Sequence, residues 1–581
     1  MTELQSYAIR SAELYLDHLE RTNGGLEEVR LKGVRLLDTK LVIYLESMPN
    51  NDLFGVEHLR IQLDKLYLSL DYVEEKRYIQ ESLSLEIDLE DGKLEVFFKS
   101  VEEECGISID SRNLSLHLKL FIDFKFLVKN ILNFCKRDLI LDLPTTSPLN
   151  LILELDPSLS SEQRRAVEGV FLQPVSYIWG LSGSGKTQVV LFSCLLNIMR
   201  QERKALILAP TNTALEQIFS VLIKKSDIRG IGRQRFLRLG MPSFEFFHNF
   251  PEVCAYKERE GEEDGAQIFA TSINDRLDEC FVVGLTLDSF VLRYDLLRDL
   301  EISHIFIDEC AFAPLIKLIP PMQLRTPITL LGDHRQLSPI CLMEEKEIRQ
   351  SAPPACLWSL STLFIESWLA NHKDLHKKSI YDDPLFRRLA HYKLTTTYRY
   401  GNNLAQVLDR HVYRVGLRGL GRDAQVYFVD SRAYGLACDG TKNESHGEAN
   451  AISRIVGDFK DYAVITPFRH QRAFLKKFVP NERLFTIHRA QGREFDTVIF
   501  SPVKLSRYLT DSSNRGALFA LNVALSRLKK ELILVCDYGF WIRRENQFIC
   551  SLLRIARPYE MQSTGLQRSY RSISIERLWN I

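Results

Sequence analysis

From Leu4 to Glu20 the apolar residues recur at helical spacing, and the run stops at Asn23-Gly24-Gly25, which predicts a helix with a glycine end. From about Val29 to Leu120 the period changes to two. Leu66, Leu68 and Leu70 alternate with polar or amphipathic neighbours. Leu83, Leu85, Ile87 and Leu89 do the same, Asp91-Gly92 intervenes, and Leu94, Val96 and Phe98 follow. Two alternating runs around Asp-Gly predict a β-hairpin. Leu114, Leu116, Leu118 and Leu120 add a further strand. With one apolar face per strand, a small antiparallel barrel or sandwich is expected. The mostly apolar stretch from Phe121 to Cys135 predicts a second long helix.

After Pro144 the texture becomes α/β. Short continuous apolar runs at Val175–Ile178, Ala205–Leu208, Phe281–Val283, His304–Ile307 and Ile328–Leu331 alternate with helical patterns. A second series follows at Val426–Val429, Tyr462–Ile465, Thr497–Phe500 and Glu531–Val535. Continuous rather than alternating strands predict parallel sheets buried on both faces. The acidic run Glu258 to Asp264 is expected to be a solvated loop.

Composition narrows the class. The chain has 581 residues, too many for one core, with Lys+Arg 75 balancing Asp+Glu 75. Apolar residues at 45% and charged residues at 26% exclude disordered and fibrous classes. No apolar run reaches the roughly 20 residues that span a bilayer, and Met1-Thr2-Glu3-Leu4-Gln5 opens no secretory signal, so no membrane partner is expected. The 11 cysteines never form a Cys-x-x-Cys pair, which points to a reducing cytoplasm or nucleus.

Gly180-Leu181-Ser182-Gly183-Ser184-Gly185-Lys186-Thr187 follows the run Val175–Ile178 and opens a helical pattern. Glycines let backbone N–H groups curl around phosphate oxygens, and a helix N-terminus adds partial positive charge. In such a loop Lys186 reaches the β- and γ-phosphates of ATP and Thr187 ligates Mg²⁺. His304-Ile305-Phe306-Ile307-Asp308-Glu309 supplies the second half: Asp308 holds the ion through water and Glu309 polarises the attacking water.

Other segments fall in order around these two. They are Leu159 to Gln163, Ala209 to Ala214, Gly332-Asp333-His334-Arg335-Gln336-Leu337, Thr397-Tyr398-Arg399, Thr466-Pro467-Phe468, Thr486 to Glu494 and Asn522 to Arg527. This ordered set resembles superfamily 1 helicases from about Leu159 to Asp537, and within them the branch of the nonsense-mediated-decay helicase and senataxin. Leu181, Cys310 and Leu528 depart from the usual proline and alanines, and Thr486-Ile487-His488-Arg489-Ala490 is closer to the RecD type.

The resemblance implies an α/β architecture of two RecA-like parallel-sheet domains in tandem, preceded by a small β-barrel accessory domain on stalk helices. The corresponding boundaries are 1–150 for the β-rich domain, 151–380 for the first RecA-like domain with a small helical insertion, 381–545 for the second, and 546–581 for a tail. It also implies site roles. Gln163 reads adenine, Tyr398 lies beside the base and Glu494 contacts the ribose. Gly180, Gly183, Ser184, Gly185 and Gly492 complete the nucleotide site. Gln336 senses the γ-phosphate, and Arg399 and Arg527 reach that phosphate from the second domain as planar cations that spread its charge. Thr211, Asn212, Thr286, Thr466, Pro467 and Thr486 match positions on a nucleic-acid backbone, although Thr211 equally suits a helix N-cap. The stretch from Lys224 to Arg238 could line an electrostatic track or form a solvated face.

The implied function is an ATP-dependent translocase on single-stranded DNA or RNA, 5′ to 3′, unwinding duplexes. The alternative is an ATP-gated clamp or scaffold without processive unwinding. The β-rich block and the tail could serve protein partners.

Overall fold

The computed structural model describes residues 2–22, 24–29, 31–37, 40–45, 59–63, 66–69, 83–88, 93–97, 118–137, 141, 144, 146, 148, 152–259, 267–270, 273–337, 339, 341–343, 390–435, 443–490 and 492–560. The chain forms two compact units, Met1–Arg399 with Tyr413–Gly421, and Tyr400–Val412 with Arg422–Ile581. No helix among the described residues is long and apolar enough to cross a membrane.

The first expected helix is Glu3–Arg21, capped by Thr2, whose hydroxyl accepts the Gln5 N–H at 3.1 Å. It ends before Gly25, whose φ of 78° suits a residue without Cβ. Its buried Ala8, Ala12, Tyr15 and Leu19 keep helical spacing on one stripe. The second helix starts at Lys125, not Phe121, and runs to Lys136. Residues Phe121 to Asp123 instead end a strand that pairs with Leu26–Val29. A continuous apolar run does not distinguish strand from helix, and the antiparallel partner decided it. The two helices pack on each other, with Gln5 Nε2 donating to the Cys135 carbonyl at 2.9 Å and Lys136 meeting Glu13 at 2.8 Å.

The β-rich block contributes two four-stranded antiparallel sheets. One runs Leu26–Val29, Leu118–Asp123, Leu59–Leu63, Leu66–Ser69; the other Leu31–Leu37, Lys40–Leu45, Lys93–Phe97, Leu83–Asp88. The expected hairpin is present: Leu83–Asp88 pairs antiparallel with Lys93–Phe97, and its Asp-Gly turn lies outside the described residues. So does the strand start expected at Leu114.

The rest of the first unit is built on a seven-stranded sheet in the order Phe236–Arg238, Val282–Thr286, Lys204–Ala209, Ile302–Ile307, Ile328–Gly332, Val175–Gly180, Ala390–Leu394, all parallel. All five expected runs are there. Ala390–Leu394 lies past the boundary expected at 380, and its alternating Ala-His-Tyr-Lys-Leu pattern is that of an edge strand, not a doubly buried one. Ile178, Ile207 and Phe306 from three strands share one core with Val167, Leu195, Leu215 and Phe219 from the helices. Between Arg238 and Val282 the insertion is mixed, with helices Phe244–Asn249 and Ile273–Glu279 around an antiparallel pair, Tyr256–Arg259 with Gln267–Ala270. Glu258 and Arg259, expected in a loop, are in that strand.

The second unit holds a six-stranded parallel sheet in the order Leu484–Thr486, Tyr462–Thr466, Phe495–Phe500, Leu528–Cys536, Gln425–Asp430, Arg557–Pro558. Val464, Ile499 and Ile533 pack with Ala449, Ile452 and Leu475. Part of the expected tail is integral here: helix Phe548–Leu553 is buried, and Arg557–Pro558 adds the edge strand.

Candidate active site

At the end of Val175–Gly180 the chain turns tightly, with the Ser184 N–H donating to the Leu181 carbonyl at 3.0 Å. Gly183 and Gly185 have φ of 77° and 82°, accessible to glycine at little cost. A Cβ on Gly183 would also lie 2.5 Å from that of Arg399. The helix after Gly185 opens with a π-helical turn, Lys186–Leu191, in which the Val190 N–H reaches the Gly185 carbonyl at 3.1 Å. The loop therefore leads into a helix N-terminus, a geometry suited to an anion.

Asp308 directly follows strand Ile302–Ile307, which lies two places from the phosphate-loop strand with Ile328–Gly332 between them. It is fully buried, and its Oδ2 accepts the Thr187 hydroxyl at 2.5 Å. Lys186 Nζ lies 3.2 Å from Asp308 Oδ1 and 3.4 Å from Glu309 Oε1. Burial alone would depress the lysine, but the two carboxylates outweigh it and hold the ammonium above its ordinary value. Glu309 has φ of 54°, a strained conformation for a non-glycine residue that turns the chain immediately after Asp308. Burial pushes the Cys310 thiol up, so it is a neutral packing group beside these charges.

Gln163 is placed by a capping box. Ser160 accepts its N–H, its Oε1 accepts the Ser160 N–H at 3.1 Å, and its Nε2 donates to the Ser184 carbonyl at 3.1 Å. The segment after Ala390–Leu394 lies on the phosphate loop. Thr397 Oγ1 donates to the Ser182 carbonyl at 2.8 Å, the Tyr398 N–H to the Gly183 carbonyl at 2.9 Å, and Arg399 to the Ser182 hydroxyl. Arg399 was expected to enter from the second domain; it belongs to the first unit. The reason is that the strand before it, Ala390–Leu394, pairs parallel with the phosphate-loop strand, so both segments leave the sheet at the same end. Tyr398 is half-exposed, and Gln336 is buried with its Nε2 on Asp333 Oδ2 at 3.1 Å.

In the second unit, Arg527 follows helix Arg515–Leu525, with Nε donating to the Val523 carbonyl at 2.9 Å and Nη2 to Ser526 Oγ at 3.3 Å. Gly492 has φ of 78° and Glu494 directly precedes strand Phe495–Phe500. Gln491 lies outside the described residues.

The expected backbone-contact residues divide. Thr211 is exposed and caps helix Asn212–Ile228 by accepting the Ala214 N–H. Thr286 is buried and caps Leu287–Leu297. Thr466 and Pro467 are buried at the end of Tyr462–Thr466, while Thr486 is partly exposed. Asn212 is buried and its Oδ1 accepts from Arg238 Nη2 at 3.1 Å. Arg238, expected on a basic track, has no exposed surface and also pairs with Glu216 at 3.4 Å. Arg229 is paired with Asp156, and Arg233 with Asp227 and Glu252. These side chains are drawn to carboxylates near at hand, which a linear charge count does not register.

One buried group escaped the sequence reading. Ser445-His446-Gly447-Glu448 has capping-box spacing, and the Glu448 N–H does donate to Ser445 Oγ. The Glu448 carboxylate, however, turns inward, accepting the Ser501 hydroxyl and the Val503 N–H (3.1 Å), while the Ser445 N–H goes to Gln471 Oε1 at 2.8 Å. Burial, only partly offset by those donors, raises Glu448 from 4.5 to about 8. Between these values the folded state keeps a proton that the unfolded chain has lost, so stability falls as pH rises from 4.5 to 8 and the penalty is complete above 8. The Glu448→Gln variant is expected to match wild type in thermal unfolding below pH 4.5 and to exceed it above pH 8, the gap growing by about 1.4 kcal/mol per pH unit between. Parallel Tm-against-pH curves would contradict this.

Two family models, each described as an AAA domain, match residues 163–341 and 438–539. The DNA replication ATP-dependent helicase/nuclease of Arabidopsis thaliana is 26% identical over 439 residues, 69% of this chain and 30% of that protein. The ATP-dependent helicase upf1 of Schizosaccharomyces pombe is 22% identical over 452 residues, 67% of this chain and 45% of that protein. Regulator of nonsense transcripts 1 of Dictyostelium discoideum is 24% identical over 435 residues, 67% of this chain and 31% of that protein. The matched chain thus spans under half the length of each of these relatives.

Proposed function

The chain belongs to the superfamily 1 helicases, and from that premise we propose that it is an ATP-hydrolysing motor acting on single-stranded nucleic acid and unwinding duplexes. The observation that carries this reading is the cluster of Lys186, Thr187, Asp308 and Glu309 at the carboxyl ends of interior strands of one parallel sheet, in a chain with a second parallel sheet. A phosphate loop alone would serve a kinase or switch as well. The second α/β unit with Arg527 leaves that simpler reading incomplete.

In this proposal ATP binds at the phosphate loop of the first unit. Lys186 takes the β- and γ-phosphate charge, Glu309 orients water, Gln163 reads adenine and Glu494 holds the ribose. Gln336 and Arg399, in the same unit as Lys186, face the γ-phosphate, and Arg527 is proposed as a further cation for its charge. The hard oxygens of Thr187 and Asp308 suit Mg²⁺, which would neutralise phosphate charge when bound. Thr211, Thr286, Thr466 and Thr486 lie at the ends of parallel strands or in the loops just after them, where loops gather to bind ligands. Such contacts grip phosphate without reading bases, which suits a motor indifferent to sequence. The two antiparallel sheets before the phosphate loop would form a barrel-like accessory domain on its helix pair.

The test is steady-state ATP turnover with and without a single-stranded oligonucleotide, followed by displacement from 5′- and 3′-tailed duplexes. Strand-stimulated turnover and displacement of the 5′-tailed duplex are expected. Turnover indifferent to any strand would sink the proposal, and stimulation without displacement of either duplex would favour the clamp.

A further inference from the structure

Where the chain returns from the second unit to the first, it leaves helix Asn402–Leu408 through a π-helical turn, Asp409–Tyr413. Arg414 and Gly416 follow with φ of 50° and 77°. A π-turn and two left-handed residues at a crossing between units mark a place where the backbone changes course. Tyr413, the first residue on the near side, is fully buried. Its hydroxyl donates to Asp333 Oδ2 at 2.7 Å and its carbonyl accepts from Arg335.

Asp333 gathers several donors. Oδ2 also accepts Gln336 Nε2 at 3.1 Å, and Oδ1 accepts Trp179 Nε1 and the Arg335 N–H, each at 3.1 Å. Trp179 precedes Gly180, the first residue of the phosphate loop, and Arg335 stacks over its ring at 5.1 Å. One buried carboxylate therefore ties together the phosphate-loop strand, Gln336 and the segment that enters from the second unit. A buried carboxylate is sensitive to the loss of any donor, so its position depends on all of them.

We propose that Tyr413 is a positioning residue for Gln336: its hydroxyl, acting through Asp333, sets the amide in the orientation that meets the γ-phosphate. The inference rests on the reading of Gln336 given above. Because Tyr413 begins the returning segment, displacement of that segment moves Asp333 and then Gln336, which gives the connection between units a direct line to the sensor.

Tyr413→Phe removes only the hydroxyl. The expected result is a fall of roughly ten- to a hundredfold in strand-stimulated kcat, with KM for ATP within about twofold and cooperative unfolding retained. Trp179→Phe, which removes a different donor to the same carboxylate, is expected to shift kcat in the same direction and serves if the first variant folds poorly. The decisive measurement is a double-mutant cycle: Tyr413→Phe with Gln336→Ala should turn over no more slowly than Gln336→Ala alone. Losses that multiply, or a Tyr413→Phe kcat within about twofold of wild type, overturn the proposal. If wild type ignores every strand, the motor reading fails by itself. The same cycle on unstimulated turnover then decides the role of Tyr413.

Discussion

Lys186→Ala is expected to lower ATP turnover by roughly 10³-fold, with or without a strand. The ammonium is buried against the phosphate loop, 3.2 Å from the fully buried Asp308. Alanine removes the cation that would follow charge onto the β- and γ-phosphates, and no other described residue pairs with Asp308 as a cation in its place. The same change leaves the Asp308 carboxylate buried without its partner, which costs about 3–5 kcal/mol when a buried ion pair is broken from one side. Two readouts should therefore move together: phosphate release disappears and the unliganded protein melts earlier. ATP with Mg²⁺ should raise the Tm of wild type but leave the variant unmoved, because only binding to the folded state stabilises it. Turnover within about tenfold of wild type would remove Lys186 from the chemistry.

Arg527→Ala is expected to cost about 10³-fold in strand-stimulated kcat while leaving KM for ATP within a few-fold. Its guanidinium is buried and steadied by the Val523 carbonyl and the Ser526 hydroxyl. A buried guanidinium oriented by a carbonyl and a hydroxyl presents a fixed planar charge to a developing anion. Arg527→Lys should not rescue the loss, since an ammonium cannot reproduce the planar fork of donors. Single-turnover hydrolysis with saturating strand separates this from a binding defect. Full activity in the lysine variant would mean that simple charge, or no contact at all, was the role of Arg527.

These effects concern residues that were visible before any fold was known, and the reason is local. A phosphate loop must be glycine-rich, follow a strand and open a helix, so Gly180 to Thr187 carries its meaning within eight consecutive positions. Asp308-Glu309 is equally compact, because a doubly buried strand is a continuous apolar run and its end is marked by the first acids. For the same reason nine interior strands of the two described parallel sheets could be located from the chain, while Phe236–Arg238, Ala390–Leu394, Leu484–Thr486 and Arg557–Pro558 escaped. All four are edge strands, exposed to fewer packing demands and therefore weaker in pattern. Phe121 to Asp123 went to a strand for a related reason: pairing with Leu26–Val29 is a non-local contact that no local period encodes.

Hydrophobic periodicity and motif order along the chain were enough to establish a β-rich front, two parallel α/β sheets, and a candidate phosphate loop. Packing settled which polar groups were free to act. It buried Arg238 and Asn212 in a mutual hydrogen bond and paired Arg229 and Arg233 with acids. It also moved Arg399 to the first unit and turned Glu448 inward from an apparent helix cap. Asp333 became a junction only because Trp179 and Tyr413, more than two hundred positions apart, meet at one carboxylate. Side-chain identity can state which donors and acceptors exist. Burial decides which of them must find each other, since an unpaired polar group inside the protein costs more than one in water.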